Sequence, residues 1–213
     1  MFPGTLGFSI AQKSMNKKLW SYETINITDF AVTKQVDDTE YGGGSGLIIR
    51  YDVLYHALKY AYEKFKIDKS YYTSPRGITF NQNIANTIIN KYKTILILCG
   101  RFEGIDQRAI DEFNLEEISI GNYILSGGEL ACLTMMDSLI RLIPGVIKKK
   151  ENIINESFNK ENNQTNTQFE HDLYTKPMEY KGRKVPEILF SGNHKKIQEW
   201  RTANALVKNN KIK

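Results

Sequence analysis

Apolar positions recur at helical spacing in the first half of the chain, and they predict two helices. The first begins at Asp52, and its apolar residues fall on one helical face: Leu54, Leu58, Ala61, Tyr62 and Phe65. A second helix is predicted after Asn81, a residue type that caps helix N-termini. Its inner face would carry Ile84, Ile88 and Tyr92. Both segments predict helices that pack against a core on one side.

Two short apolar runs between and after these helices predict strands. Residues 71–73 form a short run that ends in the turn-like sequence Ser-Pro-Arg-Gly at 74–77. Residues 94–98 form a continuous apolar run, which is typical of a parallel strand buried on both faces. Strands that alternate with helices in this way indicate an α/β fold.

A third helix is predicted over residues 129–143, stopped by Pro144 and Gly145, and the composition of the chain changes after it. Residues 148–168 are mostly Lys, Asn, Gln and Glu, a composition that predicts a flexible linker. A last helix follows Ser191-Gly192-Asn193-His194 and carries Ile197, Trp200 and Val207 on its apolar side. We therefore expect one domain over 1–147, a linker over 148–168 and a small C-terminal domain over 169–213.

Charge adds a candidate partner to this picture. The 213 residues carry a net charge of +5, and the whole excess lies between residues 195 and 213. A basic terminus fits a polyanion such as nucleic acid, although a solvated helix face with a lysine tail would look the same. No apolar run is long enough to span a membrane, and no secretory signal pattern is visible, so we expect a cytoplasmic protein.

The cysteines and histidines give no sign of a metal or disulfide site. Cys99 and Cys132 lie far apart in apolar surroundings, and the three histidines show no ligand spacing. We expect both thiols to be reduced and buried.

Three glycine-rich segments flank the predicted strands, at residues 41–46, 100–106 and 119–129. None is a P-loop, and none is a dinucleotide-binding fingerprint. Each segment alone is more typical of a turn than of a site. Together they predict a ligand cleft, because loops at the carboxyl ends of parallel strands are where α/β proteins bind ligands.

Seven ordered motifs give the chain a family resemblance from about Phe2 to Arg201. They read YGGGSGL, SPRG, GRFEGID, SIGNYILSGGEL, DSLIRLIPGV, YTKP and FSGNHKKIQEWR. In this order and spacing they resemble the bacterial tRNA (guanine-N1)-methyltransferases of the SPOUT superfamily. The resemblance implies an enzyme that methylates N1 of the guanosine just 3′ of the anticodon in tRNA.

The resemblance also implies an architecture and a set of partners. We expect a SPOUT-type parallel sheet with a deep trefoil knot, an exception to the usual rule against knots. We expect a small, mainly helical C-terminal domain and a homodimer in which both subunits build each active site. S-adenosyl-L-methionine would be the methyl donor and tRNA the substrate, and the family pattern also allows Mg²⁺.

By motif position, the resemblance places the cofactor on three segments. The implied cofactor-binding residues are Tyr72, Ser74, Pro75, Gly100, Gly104, Ile120, Tyr123, Leu125, Gly127 and Gly128. Backbone groups there would hold the adenine and ribose, apolar side chains would sandwich the base, and glycines would leave room. Ile120 and Leu125 also suit ordinary core packing.

Three residues match the catalytic positions of the family. Glu156 takes the place of a general-base aspartate, and Arg141 matches the arginine that supports the base and the guanine. Glu103 matches a carboxylate that contacts the guanine or the amine of the cofactor. Without the resemblance, Glu156 would be a solvated linker residue, Arg141 a cation favoured at a helix C-terminus, and Glu103 an ion-pair partner of Arg101 or Arg108. The sequence leaves open how Glu170 and Asp172 relate to Glu156.

The implied RNA-binding residues lie at the start of the last helix. They are Ser191, Asn193, His194, Lys195 and Arg201. Backbone N–H groups at a helix N-terminus bind phosphate, and the basic side chains would add salt-dependent affinity.

The sequence departs from the family pattern at both ends and at several positions. The apolar strand expected before Met1 and a helical stretch expected after Lys213 are not in this sequence, and loss of the strand would expose a sheet edge. Ala131, Asn122, Thr28 and Glu40 stand where other residues are usual. These departures leave an alternative, a truncated, weakly active or inactive relative that binds RNA without catalysis.

Overall fold

The chain divides into two compact units, residues 1–147 and residues 148–213. The computed structural model describes residues 1–147, 157–158 and 169–211, with side chains described as far as residue 205. The predicted linker 148–168 therefore lies outside the described residues except for Ser157 and Phe158. Each unit is described separately below.

The first unit is built of short helices and strands in alternation. Its helices are α1 (Ser9–Asn16), α2 (Tyr51–Lys64), α3 (Gln82–Lys91), α4 (Gln107–Glu112) and α5 (Glu129–Leu142), with 3-10 turns at Gly4–Gly7 and Ile27–Phe30. Its strands are β1 (Asp37–Thr39), β2 (Leu47–Ile49), β3 (Lys69–Thr79), β4 (Ile95–Cys99) and β5 (Glu116–Ser119).

A parallel sheet of three strands, in the order β4-β3-β5, forms the centre of this unit. Tyr72 of β3 pairs with Leu98 on one side and with Glu117 on the other. The long strand β3 therefore lies between two shorter strands that follow it in sequence. β1 and β2 form a separate antiparallel pair.

Helices cover both faces of the sheet, and two consecutive tyrosines of β3 pack against the helices on opposite faces. Successive side chains of a strand point to opposite faces. Tyr72 packs in a cluster with Leu54 and Leu58 of α2, whereas Tyr71 packs in a second cluster with Ile88 of α3. Burial raises the pKa of Tyr71 to about 12. The expectation of a mixed α/β fold with a parallel sheet is confirmed.

The predicted helices and the second strand are also confirmed, with small shifts at their ends. Asn81 caps α3, because its side chain accepts hydrogen bonds from the N–H groups of Asn83 and Ile84. The strand predicted over 94–98 lies one residue later, and α5 ends at Leu142 ahead of Pro144. Ile95 and Ile97 are half-buried rather than fully covered.

The end predicted for the first strand is wrong. The sequence 74–77 was expected to terminate it, but β3 continues to Thr79 with a shift of register against β5 between Thr73 and Ile78. Gly77 makes this passage possible. A Cβ atom there would lie 2.2 Å from the backbone nitrogen of Ile118. The strand passes its neighbour at a distance that no side chain allows.

The second unit contains a short hairpin and a long helix. The hairpin consists of β6 (Glu179–Tyr180) and β7 (Arg183–Lys184), and a 3-10 turn at Glu187–Phe190 leads to α6 (His194–Lys211). Trp200 of α6 packs against the rings of His171 and Tyr174, with ring centroids 6.2 and 6.1 Å apart. Val207, predicted on the apolar side of this helix, lies beyond the described side chains.

Candidate active site

Two of the three glycine-rich segments leave the sheet at the same edge. β4 ends at Cys99, immediately before Gly100, and β5 ends at Ser119, immediately before Ile120. The backbone N–H of Gly128 donates a hydrogen bond of 2.8 Å to the carbonyl oxygen of Gly100. Because β4 and β5 are both parallel to β3, these two segments meet at the carboxyl edge, where α/β proteins bind ligands.

The third segment, 41–46, reaches the same region through β2. The N–H of Ile49 donates to Gly104, the N–H of Glu103 donates to Leu47, and the N–H of Asp106 donates to Ile49, all at 3.0–3.1 Å. These bonds form a parallel bridge between Ile49 and Ile105. The residues that follow 41–46 therefore run beside residues 103–106.

Glu103 has an exposed carboxylate with no ion pair among the described residues. The two arginines considered as its partners are engaged elsewhere. Arg101 pairs with Glu129 at 2.7 Å, and Arg108 pairs with Asp106 at 2.7 Å. The interpretation of Glu103 as an ion-pair partner of Arg101 or Arg108 is therefore wrong.

Asp106 fixes the far end of the segment that carries Glu103. Its side chain caps α4 by accepting the N–H of Arg108 at 3.0 Å, and it also accepts hydrogen bonds from the guanidinium of Arg108. These hydrogen bonds from Arg108 hold the pKa of Asp106 below its ordinary value. The carboxylate of Asp106 thus belongs to the scaffold.

Tyr72 is buried under the second glycine segment. Cβ atoms added to Gly100 and Gly104 would lie 2.9 and 3.3 Å from the hydroxyl oxygen of Tyr72. Burial raises the pKa of this hydroxyl. The glycines therefore make room for the tyrosine ring, and that ring supports the segment from below.

Thr73 and Gly128 form a second close contact at this edge. A Cβ atom on Gly128 would lie 2.0 Å from Oγ1 of Thr73 and 2.9 Å from the backbone nitrogen of Gly100. Thr73 in turn donates a hydrogen bond to the carbonyl oxygen of Leu98. The start of α5 is therefore pressed against the ends of β3 and β4, and any side chain at 128 would separate them.

Ser74 and Pro75 lie within β3, where its register against β5 shifts. Ser74 is buried, and its hydroxyl accepts the N–H of Arg76 at 3.2 Å, whereas Pro75 is exposed. Arg76 pairs with Glu117 of the neighbouring strand at 2.9 Å. These contacts tie 74–76 to β5.

The segment 120–128 presents free backbone donors beside apolar side chains. The hydroxyl of Tyr123 donates to the carbonyl oxygen of Ile120, so its ring folds back over Gly121. In the described part of the chain, no acceptor takes the N–H groups of residues 124–127. Leu125 is 36% exposed beside them. Unpaired N–H groups next to an exposed apolar side chain fit the edge and the face of an adenine ring, so these residues fit S-adenosylmethionine.

Cys99 and Cys132 are both free thiols at the end of β4 and on α5. A hydrogen bond with Cys132, together with burial, raises the pKa of Cys99. A thiol held protonated in this way is a poor nucleophile and serves as packing. No group of three or more His, Cys, Asp and Glu side chains that could hold a metal ion occurs in the described ranges.

The remaining predicted catalytic residues are Arg141 and Glu156. Arg141 is half-buried in the last turn of α5, and Glu156 lies outside the described residues. In the second unit, the carboxylate of Glu170 accepts the N–H of Ser157 at 3.1 Å, and Ser157 Oγ accepts the N–H of Glu170 at 3.2 Å. Glu170 is thus bound to the residue that follows Glu156. Asp172 instead bonds with Asn204 of α6.

The predicted RNA-binding residues cluster at the exposed N-terminus of α6. The side chain of Asn193 accepts the N–H of Lys196 at 3.1 Å, and Ser191 Oγ accepts the N–H of Asn193 at 3.2 Å. His194, Lys195 and Arg201 are exposed. The helix start is therefore capped and its basic side chains face solvent.

Sequence reasoning did not single out Thr73, whose Oγ1 lies against Gly128, or Gly46, whose backbone lies against the side chain of Glu103. It also missed an open cavity of about 480 Å³ at the opposite, amino edge of the sheet, between Tyr62, Lys69 and Phe113. That cavity contains none of the predicted site residues. No helix in the described part of the chain is long and apolar enough to cross a membrane.

The fold and this site define an α/β protein whose glycine-rich segments meet at the carboxyl edge of a parallel sheet, the edge where such folds bind ligands. Comparison with known proteins gives the particular family. The profile of the tRNA (Guanine-1)-methyltransferase TrmD family matches residues 1–213. The chain belongs to this family, and it is a methyltransferase.

Individual relatives agree with the family profile. The chain is 51% identical over 203 residues to the tRNA (guanine-N(1)-)-methyltransferase of Rickettsia typhi, covering 94% of this chain and 86% of that protein. It is 50% identical over 203 residues to the enzyme of the same name from Rickettsia akari, with the same coverage. The enzyme of that name from Wolbachia pipientis wMel is 49% identical over 203 residues, covering 94% and 84%.

Proposed function

We propose that the protein transfers a methyl group from S-adenosylmethionine to N1 of the guanosine just 3′ of the anticodon in tRNA. Family membership supplies the reaction class. The observation that carries the proposal is the position of Glu103, an exposed carboxylate without an ion pair among the described residues, on the same edge as the free backbone donors of 124–127. A polar group left unpaired at a ligand edge is available to a substrate.

The substrate determines which side chains are needed. Guanine N1 carries a proton and is a weak nucleophile at neutral pH, so a base must remove that proton. A cation is needed to stabilise the negative charge that develops on O6. No covalent intermediate with the protein is required, so the protein supplies alignment, a base and an electrostatic partner.

Glu156 is the proposed base and Arg141 the proposed cation. Arg141 is half-buried at the C-terminal end of α5, where desolvation strengthens its effect on a developing charge. Glu103 would accept a hydrogen bond from the guanine edge or from the amine of the cofactor. Glu170, bonded to Ser157, would orient the backbone beside Glu156.

The cofactor would supply an electrophilic methyl group on a sulfonium that leaves readily. The residues proposed to hold it line the carboxyl edge of the sheet. Backbone N–H groups of residues 124–127 would bind adenine and ribose, and Leu125 would cover one face of the base. Tyr72 supports Gly100 and Gly104 from below, which keeps their carbonyl groups in place.

Three further properties belong to the proposal as implied by family membership. The first unit would contain the deep trefoil knot, formed where the chain after β5 passes through an earlier loop. The second unit would act as the helical tRNA-binding domain, with Ser191, Asn193, His194, Lys195 and Arg201 on the RNA. Two copies would form a homodimer that shares its active sites, and the enzyme would work in the cytoplasm.

The decisive experiment incubates the purified protein with S-adenosylmethionine and a tRNA transcript that carries G both 3′ of the anticodon and at the preceding position. We expect 1-methylguanosine at the position just 3′ of the anticodon. Mass spectrometry of the nucleosides and a primer-extension stop would detect it. A transcript with A in place of the target G is the control. Cofactor binding without methyl transfer would contradict the proposal and favour an RNA-binding relative without catalysis.

The role of Glu156 is tested by Glu156→Gln. This substitution keeps the shape of the side chain and removes the base, so turnover should be lost while S-adenosylmethionine binds as before. Glu161→Gln, in the same linker, is the matched control and should keep full turnover. Turnover by Glu156→Gln near the parental rate would assign the base elsewhere.

A further inference from the structure

The hairpin β6–β7 in the second unit has two faces of different character. Glu179 lies opposite Lys184, and Tyr180 lies opposite Arg183. Lys181 and Gly182 both have positive φ, at 49° and 74°, as a tight two-residue turn requires. Directly opposed residues share a face, and consecutive residues of a strand point to opposite faces. Glu179 and Lys184 therefore form one face, and Tyr180 and Arg183 form the other.

Only one of these faces is neutral. Lys184 Nζ lies 3.5 Å from a carboxylate oxygen of Glu179, so these two charges compensate each other. Arg183 has no ion pair within the described residues. Lys181 Nζ lies 5.5 Å from the centroid of the Tyr180 ring, so a second cation joins the Tyr180 side. The face formed by Tyr180, Arg183 and Lys181 is called the cationic face below.

Tyr180 contributes little to the packing of the unit. Its side chain is 65% exposed, and the hairpin is closed by backbone bonds, including the N–H of Val185 to the carbonyl oxygen of Met178 at 3.0 Å. An exposed aromatic ring beside two cations has more value as a contact surface than as core. The structure of the hairpin does not require this ring.

We propose that the cationic face is an RNA-binding element in which Tyr180 stacks on an unpaired base while Arg183 and Lys181 bind the flanking phosphates. This inference rests on the proposed function, which makes tRNA the substrate. Aromatic rings bind unpaired bases by stacking, and neighbouring cations bind the backbone. The excess positive charge on this face favours a polyanion as the binding partner. For an ordinary protein partner, a face with charges of both signs would be expected.

The test measures the affinity of the full-length protein for the tRNA transcript by filter binding at several salt concentrations. Tyr180→Ala should raise Kd for tRNA by roughly tenfold or more, the loss expected for one stacked base. Tyr180→Phe keeps the ring and should restore binding. Arg183→Gln should weaken binding. It should also reduce the magnitude of the slope of log K against log salt by about one unit, the contribution of one phosphate contact.

Lys184→Gln is the matched control because it removes a cation from the opposite face of the same hairpin. It should change Kd for tRNA by less than about twofold. Kd for S-adenosylmethionine and the melting temperature should stay constant in all variants, which separates a binding defect from unfolding. Equal effects of Lys184→Gln and Arg183→Gln, or parental affinity in Tyr180→Ala, would overturn the proposal.

The readout separates this proposal from the proposed function. If the parental protein methylates the target guanosine and Tyr180→Ala binds tRNA normally, only the hairpin proposal fails. If the parental protein binds tRNA through Tyr180 but transfers no methyl group, the proposed reaction fails and the binding element remains.

Discussion

A Cβ atom on Gly46 would lie 2.0 Å from Cγ of Glu103. The side chain of Glu103 therefore rests directly on the backbone at Gly46, at a distance that only glycine permits. This contact joins the first glycine segment to the second, 57 residues later in the sequence. We therefore expect Gly46 to position Glu103, a carboxylate without an ion pair among the described residues.

Gly46→Ala should displace Glu103 and lower kcat. A displacement of about 1 Å at a catalytic group can reduce turnover by up to about a hundredfold, and we expect at least a tenfold loss. Binding of S-adenosylmethionine, measured by calorimetry, should change little if Glu103 contacts the guanine and should weaken if Glu103 contacts the amine of the cofactor. Gly44→Ala is the control, since its Cβ would meet only the flexible end of Glu40, at 2.7 Å from Oε2. A parental kcat in Gly46→Ala would contradict the positioning role.

Gly128→Ala should destabilise the first unit and abolish cofactor binding. Its Cβ would overlap Thr73 Oγ1 and approach the backbone of Gly100, and overpacking of this kind costs about 1–3 kcal/mol. Gly127→Ala provides the comparison, because the nearest atom there is Oε2 at the far end of the Glu129 side chain, at 2.5 Å, and not backbone. For Gly128→Ala, the melting temperature from thermal unfolding and the affinity for S-adenosylmethionine from calorimetric titration should both be well below those of Gly127→Ala. Equal melting temperatures would argue against the close contact.

Asp106→Asn should lower stability at neutral pH but not in acid. The pKa of Asp106 is lowered in the folded state, so its ion pair with Arg108 stabilises the fold above the unfolded pKa, near 4. This contribution is lost as pH falls through the lower, folded pKa. Asparagine still caps α4, so the loss at pH 7 should be only about 0.5–1 kcal/mol.

The measurement for Asp106 is urea unfolding of both proteins between pH 7 and pH 3. The difference between them should be constant near neutrality and shrink progressively as the pH falls below about 4. Arg108→Gln removes the same pair from the other side and should show the same pH dependence. A difference that stays constant below about pH 4 would mean that asparagine disturbs the cap itself.

Lys195→Gln should reduce both the tRNA affinity and its salt dependence. Lys195 is exposed at the start of α6, so each phosphate contact that it makes should contribute about one unit to the salt slope. Lys59→Gln, on α2 beside Glu63, is the control. Titrations of labelled tRNA between low and high salt would show the change, and identical slopes for both variants would remove Lys195 from the RNA surface.

Much of the fold could be predicted because it depends on local patterns. The apolar face after Asp52, the cap at Asn81 and the apolar run before Gly100 each specify one element, and the structure contains all three. The glycine-rich segments were predicted in the same way to lie at the carboxyl edge of the sheet. Glycine segments that follow buried strands are visible in sequence, and strand direction then brings them together.

What the sequence could not give depends on contacts between distant segments. Residues 74–77 resemble a turn, but β3 continues through them because Gly77 lets the backbone pass against Ile118. From the sequence, Glu103 could form an ion pair with the nearby Arg101 or Arg108. In the structure, Arg101 instead forms an ion pair with Glu129, which is 28 residues away. Such choices follow from packing, and no local pattern records them.

The three backbone bonds between β2 and residues 103–106 have a consequence for how the cleft admits a substrate. Because the bonds lie side by side, they must break together, and their amides should exchange with deuterium far more slowly than those of the glycines before β2. Gly42 and Gly43 have no atom within 4 Å of an added Cβ, and Tyr41 is 96% exposed. We therefore expect the hydrogen-bonded residues 47–49 to stay in place when the proposed nucleotide binds and residues 41–43 to make the adjustment, since space around them is open.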